Sequence, residues 1–576
     1  MLPVLLAWFT KMTLDSLRPH GESELIGWAL GLTTLGVVTA LLPHLSQYCA
    51  AELGRQVSRH TTSTLFTAVN GFIGLGRFED PRFLDRLRLA GHGGGANPAR
   101  AIAGILGASR ALTTITGFLG SLMLLNLWMA TLVLCAGATT LVAELASSRR
   151  RARMEWGIGP RERREMFYSG LLSSVEAAKE VRLFGVGPFL RGRMLVERQA
   201  SDAARQAVER REVLVQSGLG VLSALVSGCG LVWAVRQAQA GVLSVGDVTV
   251  FIAAVAGTQA ALASLATELG AAHQAVALFE HYVQIVRSAP DLPVPHKPVR
   301  LSPLREAVEL RDVWFRYSPA HPWILRGVNL RIPYGTSLAL AGANGSGKST
   351  LIKLICRFYD PTRGAVMWDG TDIRNVDPAD LRSRIGALFQ DFMDYDLTAA
   401  ENIALGDLDA LHDRERLRTA ARQAGVDRVL EGLPRGYDTL LSRTFVMEAE
   451  KNDPETGVVL SGGQSQRLAL ARALLRDRCD LMVLDEPSAG LDAQAEHEIH
   501  TSLREHRAAR TSVLISHRLG AVREADVIAV LKDGKITERG EHEELIAMQG
   551  EYARMFRLQA AGYRTGAGTG RVGAEP

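Results

Sequence analysis

The hydrophobic positions of this chain follow two regimes. Before about residue 270 they gather in long runs without a single charge, at 25–43, 111–143, 213–235 and 248–267. A helix needs about 20 apolar residues to cross a bilayer, so each run predicts a membrane-spanning helix. The run 111–143 is too long for one upright span. It predicts a helix pair turning near Asn126, the first member starting around Ala101 with Arg110 near its cytoplasmic end. Residues 1–17 add a sixth, unusually short span, which reads as the second half of a helix. Past residue 300 short apolar strands alternate with helical patterns, the mark of an α/β domain. The proline-rich stretch SAPDLPVPHKPVRLSP cannot continue a helix and reads as a linker between the two regimes. The expected layout is a membrane domain at 1–285, a linker at 286–305, an α/β domain at 306–560 and a disordered Gly/Ala-rich tail at 561–576.

Charge gives this layout an orientation. Two polar segments, 47–99 and 147–212, separate the spans, and the second carries Arg149, Arg150, Arg151, Arg153, Arg161, Arg163 and Arg164. Basic residues favour the cytoplasmic side, so both long segments face the cytoplasm and the short connections near 18–24 and 237–246 face outward. The overall 47% hydrophobic and 22% charged content resembles a soluble protein only because it averages two unlike halves. A net charge of +4 on 576 residues gives no argument for a nucleic-acid partner. The five cysteines are scattered, without CxxC spacing, and are expected to be small buried residues rather than disulfides or zinc ligands. The first nine residues are apolar, but no basic region precedes them and no small-residue cleavage site follows, so they read as membrane helix rather than secretory signal.

The chemistry is concentrated in three motifs. SLALAGANGSGKSTLIKLI places a GxxxxGK[ST] loop after an apolar strand and before a helix. Glycines there let backbone N–H groups turn toward phosphate oxygens at a helix N-terminus. The candidate nucleotide contacts are Gly342, Ala343, Asn344, Gly345, Ser346, Gly347, Lys348, Ser349 and the following Thr350. Lys348 supplies a cation to the terminal phosphates and the Ser349 hydroxyl a Mg²⁺ ligand. CDLMVLDEPSAGLD ends an apolar strand on Asp485 and Glu486, at the strand end where open α/β sheets bind ligands. Asp485 is the candidate Mg²⁺ ligand and Glu486 the general base for the attacking water. VVLSGGQSQRLALARALL presents Ser461, Gly462, Gly463 and Gln464 at a second helix N-terminus, a second anion cradle.

The sequence LSGGQ, with the phosphate loop before it and the DE pair after it, resembles the signature of the ABC transporters. The order of membrane domain first and ATPase second on one chain resembles the exporter-type half-transporter. That resemblance implies a six-helix membrane domain followed by an α/β P-loop ATPase, ATP and Mg²⁺ as cofactors, and a homodimer whose two composite ATP sites each take the signature from the partner. It also implies roles for single residues: Tyr317 as the aromatic that stacks on adenine, Gln390 as a Mg²⁺ contact that senses the membrane domain, and His517 as the switch at the γ-phosphate. Residues 488–492, SAGLD, resemble the loop that crosses the dimer interface, while Trp314 and Phe315 are expected in the core. Residues 78–89 and 177–194 are the candidate coupling helices. The implied activity is ATP hydrolysis coupled to outward transport across a bacterial plasma membrane, with the ATPase domain cytoplasmic. FQDFMDYDLTAAENIALGD and SRTF resemble a bacterial subgroup associated with modified peptides, which suggests a peptide cargo. A lipid or hydrophobic-drug translocator is the alternative, and an importer built on the same architecture a further one. The chain departs from the family at 440–459, where a longer segment replaces the usual TxVGERG-like motif, and in its short first helix.

Overall fold

The structure, a computed structural model, describes residues 1–17, 22–93, 97–442, 457–488, 499, 501, 503 and 510–565. It divides into two compact units, Met1–Asn70 with Pro81–Ser288, and Gly71–Asp80 with Ala289–Pro576.

The first unit is all helix: α1 Leu2–Asp15, α2 Glu22–Asn70, α3 Pro81–Gly93, α4 Asn97–Leu125, α5 Leu127–Ser173, α6 Val175–Leu183, α7 Gly187–Gln239 and α8 Val245–Val286. Among the described residues, α2, α4, α5, α7 and α8 are long and apolar enough to cross a membrane. The helix α1 has 14 residues, or about 21 Å at 1.5 Å per residue, short of a ~30 Å hydrocarbon core. It is nevertheless built into the unit. Trp8 Nε1 donates to Ser121 Oγ at 2.9 Å, Lys11 Nζ pairs with Asp247 Oδ1 at 2.5 Å, and Asp15 accepts from the N-terminal turn of α8. Asn126 separates α4 from α5 as the sequence predicts. Its side chain caps α5 by accepting from the backbone N–H of Trp128 and Met129, which satisfies orphan donors that a buried turn would leave costly. Leu30, Val37, Leu41, Leu124, Trp128 and Leu225 stay exposed, while Phe118, Leu122, Val133, Phe251 and Val255 form the core. Apolar outside and apolar inside is the composition a lipid-facing bundle needs.

The polar segments are mostly helical continuations of the spans. Helices α5 and α7 run on side by side, joined by Arg164–Glu197, Arg198–Glu165 and Arg205–Glu162 pairs at 2.9, 2.9 and 2.6 Å. Such exposed pairs are individually worth about 0–1 kcal/mol, so they set register more than stability. Neither candidate coupling segment coincides with a single helix. Residues 78–89 straddle the non-helical end of segment 71–80 and the start of α3, because Pro81 fixes a helix N-terminus there. Residues 177–194 include only part of α6, which ends at Leu183 before Gly185 turns at φ +63° into α7. Two expectations fail. Cys49, Cys135 and Cys229 are exposed on the helices rather than buried, and only Cys356 is fully buried. Phe315 lies in the core but Trp314 is half-exposed.

The second unit carries two sheets. Strands β1 Ala307–Phe315, β2 Leu325–Pro333, β4 Arg363–Trp368 and β5 Thr371–Asp372 form an antiparallel sheet in the order 2-1-4-5. Strands β3 Ser337–Ala341, β6 Ile385–Leu388, β7 Leu481–Asp485, β8 Thr511–Ile515, β9 Val527–Lys532 and β10 Lys535–Gly540 form the second, in the order 10-9-3-8-7-6. All neighbours in it are parallel except β9 and β10. The strands β7 and β8 are buried at every position, so they appear in the sequence as unbroken apolar runs rather than alternations. Because β8 lies between β3 and β7, the phosphate loop and the Asp485–Glu486 pair emerge at the same end of the sheet. The closing helix Glu551–Thr565 runs past residue 560, where the sequence predicts the domain to end, because Ala560 and Ala561 favour helix.

Segment 71–80 is packed into this second unit by its backbone. Ile73 and Gly74 donate N–H groups to the two carboxylate oxygens of Asp291 at 2.8 Å each, Leu75 N–H donates to Phe358 O, and Arg382 donates to Ile73 O. Gly74 is needed for this approach: a Cβ there would lie 2.7 Å from Asp291 Oδ2 and 2.8 Å from Phe358 O. Gly74→Val is expected to cost about 1–3 kcal/mol by overpacking and to free the segment. Hydrogen exchange at the Ile73 and Gly74 amides should accelerate, and unchanged protection would contradict the packing described.

Candidate active site

The loop 342–349 owes its shape to its glycines. Gly342, Gly345 and Gly347 have φ of +148°, +77° and +108°, which other residues adopt only with strain. A Cβ on Gly342 would come within 2.2 Å of Leu531 O, so this glycine lets the loop press against β9. The loop ends in the helix α9, Lys348–Ile355, with its N-terminus facing a cleft of about 620 Å³. Asn344, Gly345, Gly347, Lys348, Ser349 and Thr350 line one side, and Gln390, Asp485, Glu486 and His517 the other, with Ile324 and Ile515 adding apolar wall.

Lys348 Nζ bonds the carbonyl oxygens of Gly342 and Ala343 at 2.8 and 3.0 Å. Burial pulls its pKa down, while Asp485 and Glu486 push back. Burial pushes the Asp485 carboxyl up, against the Ser349 hydroxyl that donates to its Oδ2 at 3.3 Å, and the like charge of Glu486 adds to the rise. A divalent cation would relieve that unfavourable charge. The two oxygens of Ser349 and Asp485 stand close enough to ligate a single ion, and Gln390 lines the same cleft. Ser346 Oγ is buried without a partner among the described residues, and the loop offers nearby backbone donors, as a phosphate cradle requires. These residues fit ATP with Mg²⁺.

Glu486 has φ +52°, a conformation that costs a non-glycine residue roughly 1–3 kcal/mol and persists only where the surroundings impose it. Its N–H donates to Ile515 O at 2.9 Å, and its carbonyl accepts from Gln466 Nε2 at 2.9 Å. The strained turn aims its side chain at His517, whose Nε2 lies 2.7 Å from Glu486 Oε1. A carboxylate beside an imidazole at the open end of a phosphate cradle can take a proton from an attacking water and hold it near the departing phosphate. Sequence reasoning missed Gln466. Its signal was position: two residues after the signature, within the first turns of helix Gly462–Leu474.

Tyr317 is 37% exposed, with its hydroxyl 3.1 Å from Thr350 Oγ1. It stands next to α9 but does not line the cleft itself. Ser461, Gly462, Gly463 and Gln464 are not part of the cleft either. Ser461 caps its helix, exchanging bonds with Gln464, and a Cβ on Gly462 would meet nothing within 4 Å. The loop 489–492 and residues 443–456 of the unusual segment lie outside the described residues.

Residues 325–489 match the family model described as ABC transporter. The mitochondrial potassium channel ATP-binding subunit of Xenopus tropicalis is 38% identical over 320 residues, 55% of this chain and 44% of that protein. An ATP-dependent lipid A-core flippase of Chromohalobacter salexigens is 42% identical over 252 residues, 44% of this chain and 41% of that protein. The flippase of Aromatoleum aromaticum is 36% identical over 319 residues, 55% of this chain and 50% of that protein. The match thus spans half or less of these relatives' own length. Among solved structures, a bacterial Atm1-family ABC exporter with ATP bound aligns with a TM-score of 0.81 at 24% identity, over 100% of this chain and 98% of that one. The likeness at that identity is one of fold: a helical, membrane-type domain followed by an α/β ABC ATPase domain.

Proposed function

We propose that this chain is one half of an ABC exporter that hydrolyses ATP with Mg²⁺ to move an amphiphilic cargo, a lipid or hydrophobic drug, outward across a bacterial plasma membrane. The observation that carries the reading is the separation of two anion cradles on one chain. The cleft holds Lys348, Ser349, Asp485, Glu486 and His517 but none of the signature, while Ser461 and Gly462 stand exposed at another helix N-terminus. A second copy, docked head to tail, completes both sites, and each half carries its full set of phosphate-loop, DE-pair and signature residues. In this reading ATP joins the two ATPase domains, the closure moves the membrane helices outward, and hydrolysis with phosphate release resets them. The chain's own residues do positioning and charge stabilisation: Lys348 and the loop N–H groups hold phosphates, Ser349, Gln390 and Asp485 hold the cation, and Glu486 accepts the proton.

The cargo reading rests on the relatives named lipid A-core flippases, together with the apolar faces of the helical unit. Modified-peptide export, which FQDFMDYDLTAAENIALGD suggested, has no support among those relatives. The test is the purified full chain in proteoliposomes, supplied with ATP and Mg²⁺. ATP-dependent transfer of a fluorescent phospholipid between leaflets, with turnover stimulated by lipid, is the expected result. Stimulation by peptides alone would replace the cargo, and no ATP turnover would overturn the function.

A further inference from the structure

We propose that Glu79 is a positioning residue for the nucleotide base, acting through Lys353 and Tyr359 on the ring of Tyr317. The inference rests on the reading of Tyr317 as the adenine platform and adds to it a residue that lies far from the motifs in sequence.

Four groups form one cluster within the second unit. Glu79 Oε1 pairs with Lys353 Nζ at 2.8 Å, and Glu79 Oε2 accepts from the Tyr359 hydroxyl at 2.5 Å. The Lys353 ammonium stands 5.6 Å from the Tyr317 ring centre and 6.0 Å from that of Tyr359. Tyr317 meets Tyr359 edge-to-face at 5.3 Å and Phe315 edge-to-face at 5.0 Å, and Phe315 is only 3% exposed. The far end of Tyr317 bonds Thr350 on α9, the helix that also carries Lys353. The ring is therefore held by an anchored aromatic, by a helix of the phosphate loop, and by a cation whose position depends on Glu79.

The charges bear this out. Burial works against Glu79, yet Lys353 and Tyr359 hold its carboxyl below the usual range. Burial likewise works against Lys353, and Glu79 keeps its pKa raised. Without Glu79 the ammonium keeps its charge but loses its fixed place, and a flexible four-carbon arm spends less time over the ring. Cation–π contact at such sites is modest, so the loss should be modest too. A base stacked on a ring that wanders binds more weakly, whereas the phosphates, held by Lys348 and the loop, are unaffected. Segment 71–80 is also anchored through Asp291 and Arg382, so loss of Glu79 need not detach it.

The experiment measures KM and kcat for ATP and GTP on the full chain in detergent, for Glu79→Ala, Glu79→Gln, Tyr317→Ala and the swap Glu79→Lys with Lys353→Glu. Glu79→Ala should raise the KM for ATP about two- to fivefold, narrow the preference for ATP over GTP, and change kcat much less. Glu79→Gln, which keeps the size and the Tyr359 bond, should shift KM in the same direction by less. The swap restores an ion pair but puts an anion beside the ring, so it should not restore KM. Full recovery in the swap would mean the pair merely ties the segment down, and would overturn the proposal. An unchanged KM in Glu79→Ala, beside a raised KM in Tyr317→Ala, would overturn it while leaving Tyr317 as the platform. An unchanged KM in Tyr317→Ala would remove the platform and this inference together.

Discussion

Glu486→Gln is expected to lower ATP turnover by about 10²- to 10⁴-fold, the range a positioned general base contributes, while ATP still binds. The substitution is nearly isosteric. The backbone bonds from Glu486 N–H to Ile515 and from Gln466 to its carbonyl do not involve the side chain, so the strained φ of +52° is retained. What disappears is the proton acceptor 2.7 Å from His517 Nε2. Phosphate release from the purified variant, measured beside equilibrium nucleotide binding, separates the two effects. Undiminished turnover would remove Glu486 as the base. A second readout follows from the proposed composite site. If hydrolysis is the step that parts two ATPase domains, the variant should accumulate as an ATP-held dimer, detected by cross-linking with ATP and Mg²⁺ and lost when Mg²⁺ is chelated.

The arrangement around Glu486 also shows what the sequence could and could not tell. The phosphate loop, the strand carrying Asp485 and the cap at Ser461 were legible because each is local: a glycine pattern, an apolar run or a capping residue writes its own structure. The helix pair at Asn126 was legible for the same reason. Gln466 was not, because its role depends on a turn 20 residues away. Glu79 lay further out of reach: its partners are 274 and 280 residues distant, and only tertiary packing brings them together. The helical continuations beyond the spans were read as polar segments because hydropathy marks where a helix leaves an apolar solvent, not where it ends. Pro81 starts one helix and Gly185 redirects the chain into another, so the candidate coupling segments 78–89 and 177–194 each cross a helix boundary that amphipathic pattern alone does not mark.

Lys348→Ala should abolish productive ATP use, with turnover falling at least about a hundredfold, as when a preorganised charge at a developing anion is removed. The resting domain should tolerate the change. Lys348 is 7% exposed and, among the described residues, bonds only carbonyls of its own loop, and burial already disfavours its charge. Removing this buried cation relieves a desolvation penalty but loses two hydrogen bonds and the attraction of Asp485 and Glu486, opposing effects that leave the net change in folding small. Nucleotide linkage should change instead. A ligand that binds only the folded protein stabilises it by RT ln(1 + [L]/Kd) and so raises its melting temperature, and the alanine variant should lose most of that ATP-induced rise. Thermal unfolding with and without ATP and Mg²⁺ therefore distinguishes a lost phosphate contact from a damaged fold. A variant that melts at the wild-type temperature without ATP, fails to respond to it and no longer turns it over is the expected result. Normal turnover would mean that Gly342 to Ser349 is a helix-capping loop and that the cleft beside it holds some other anion.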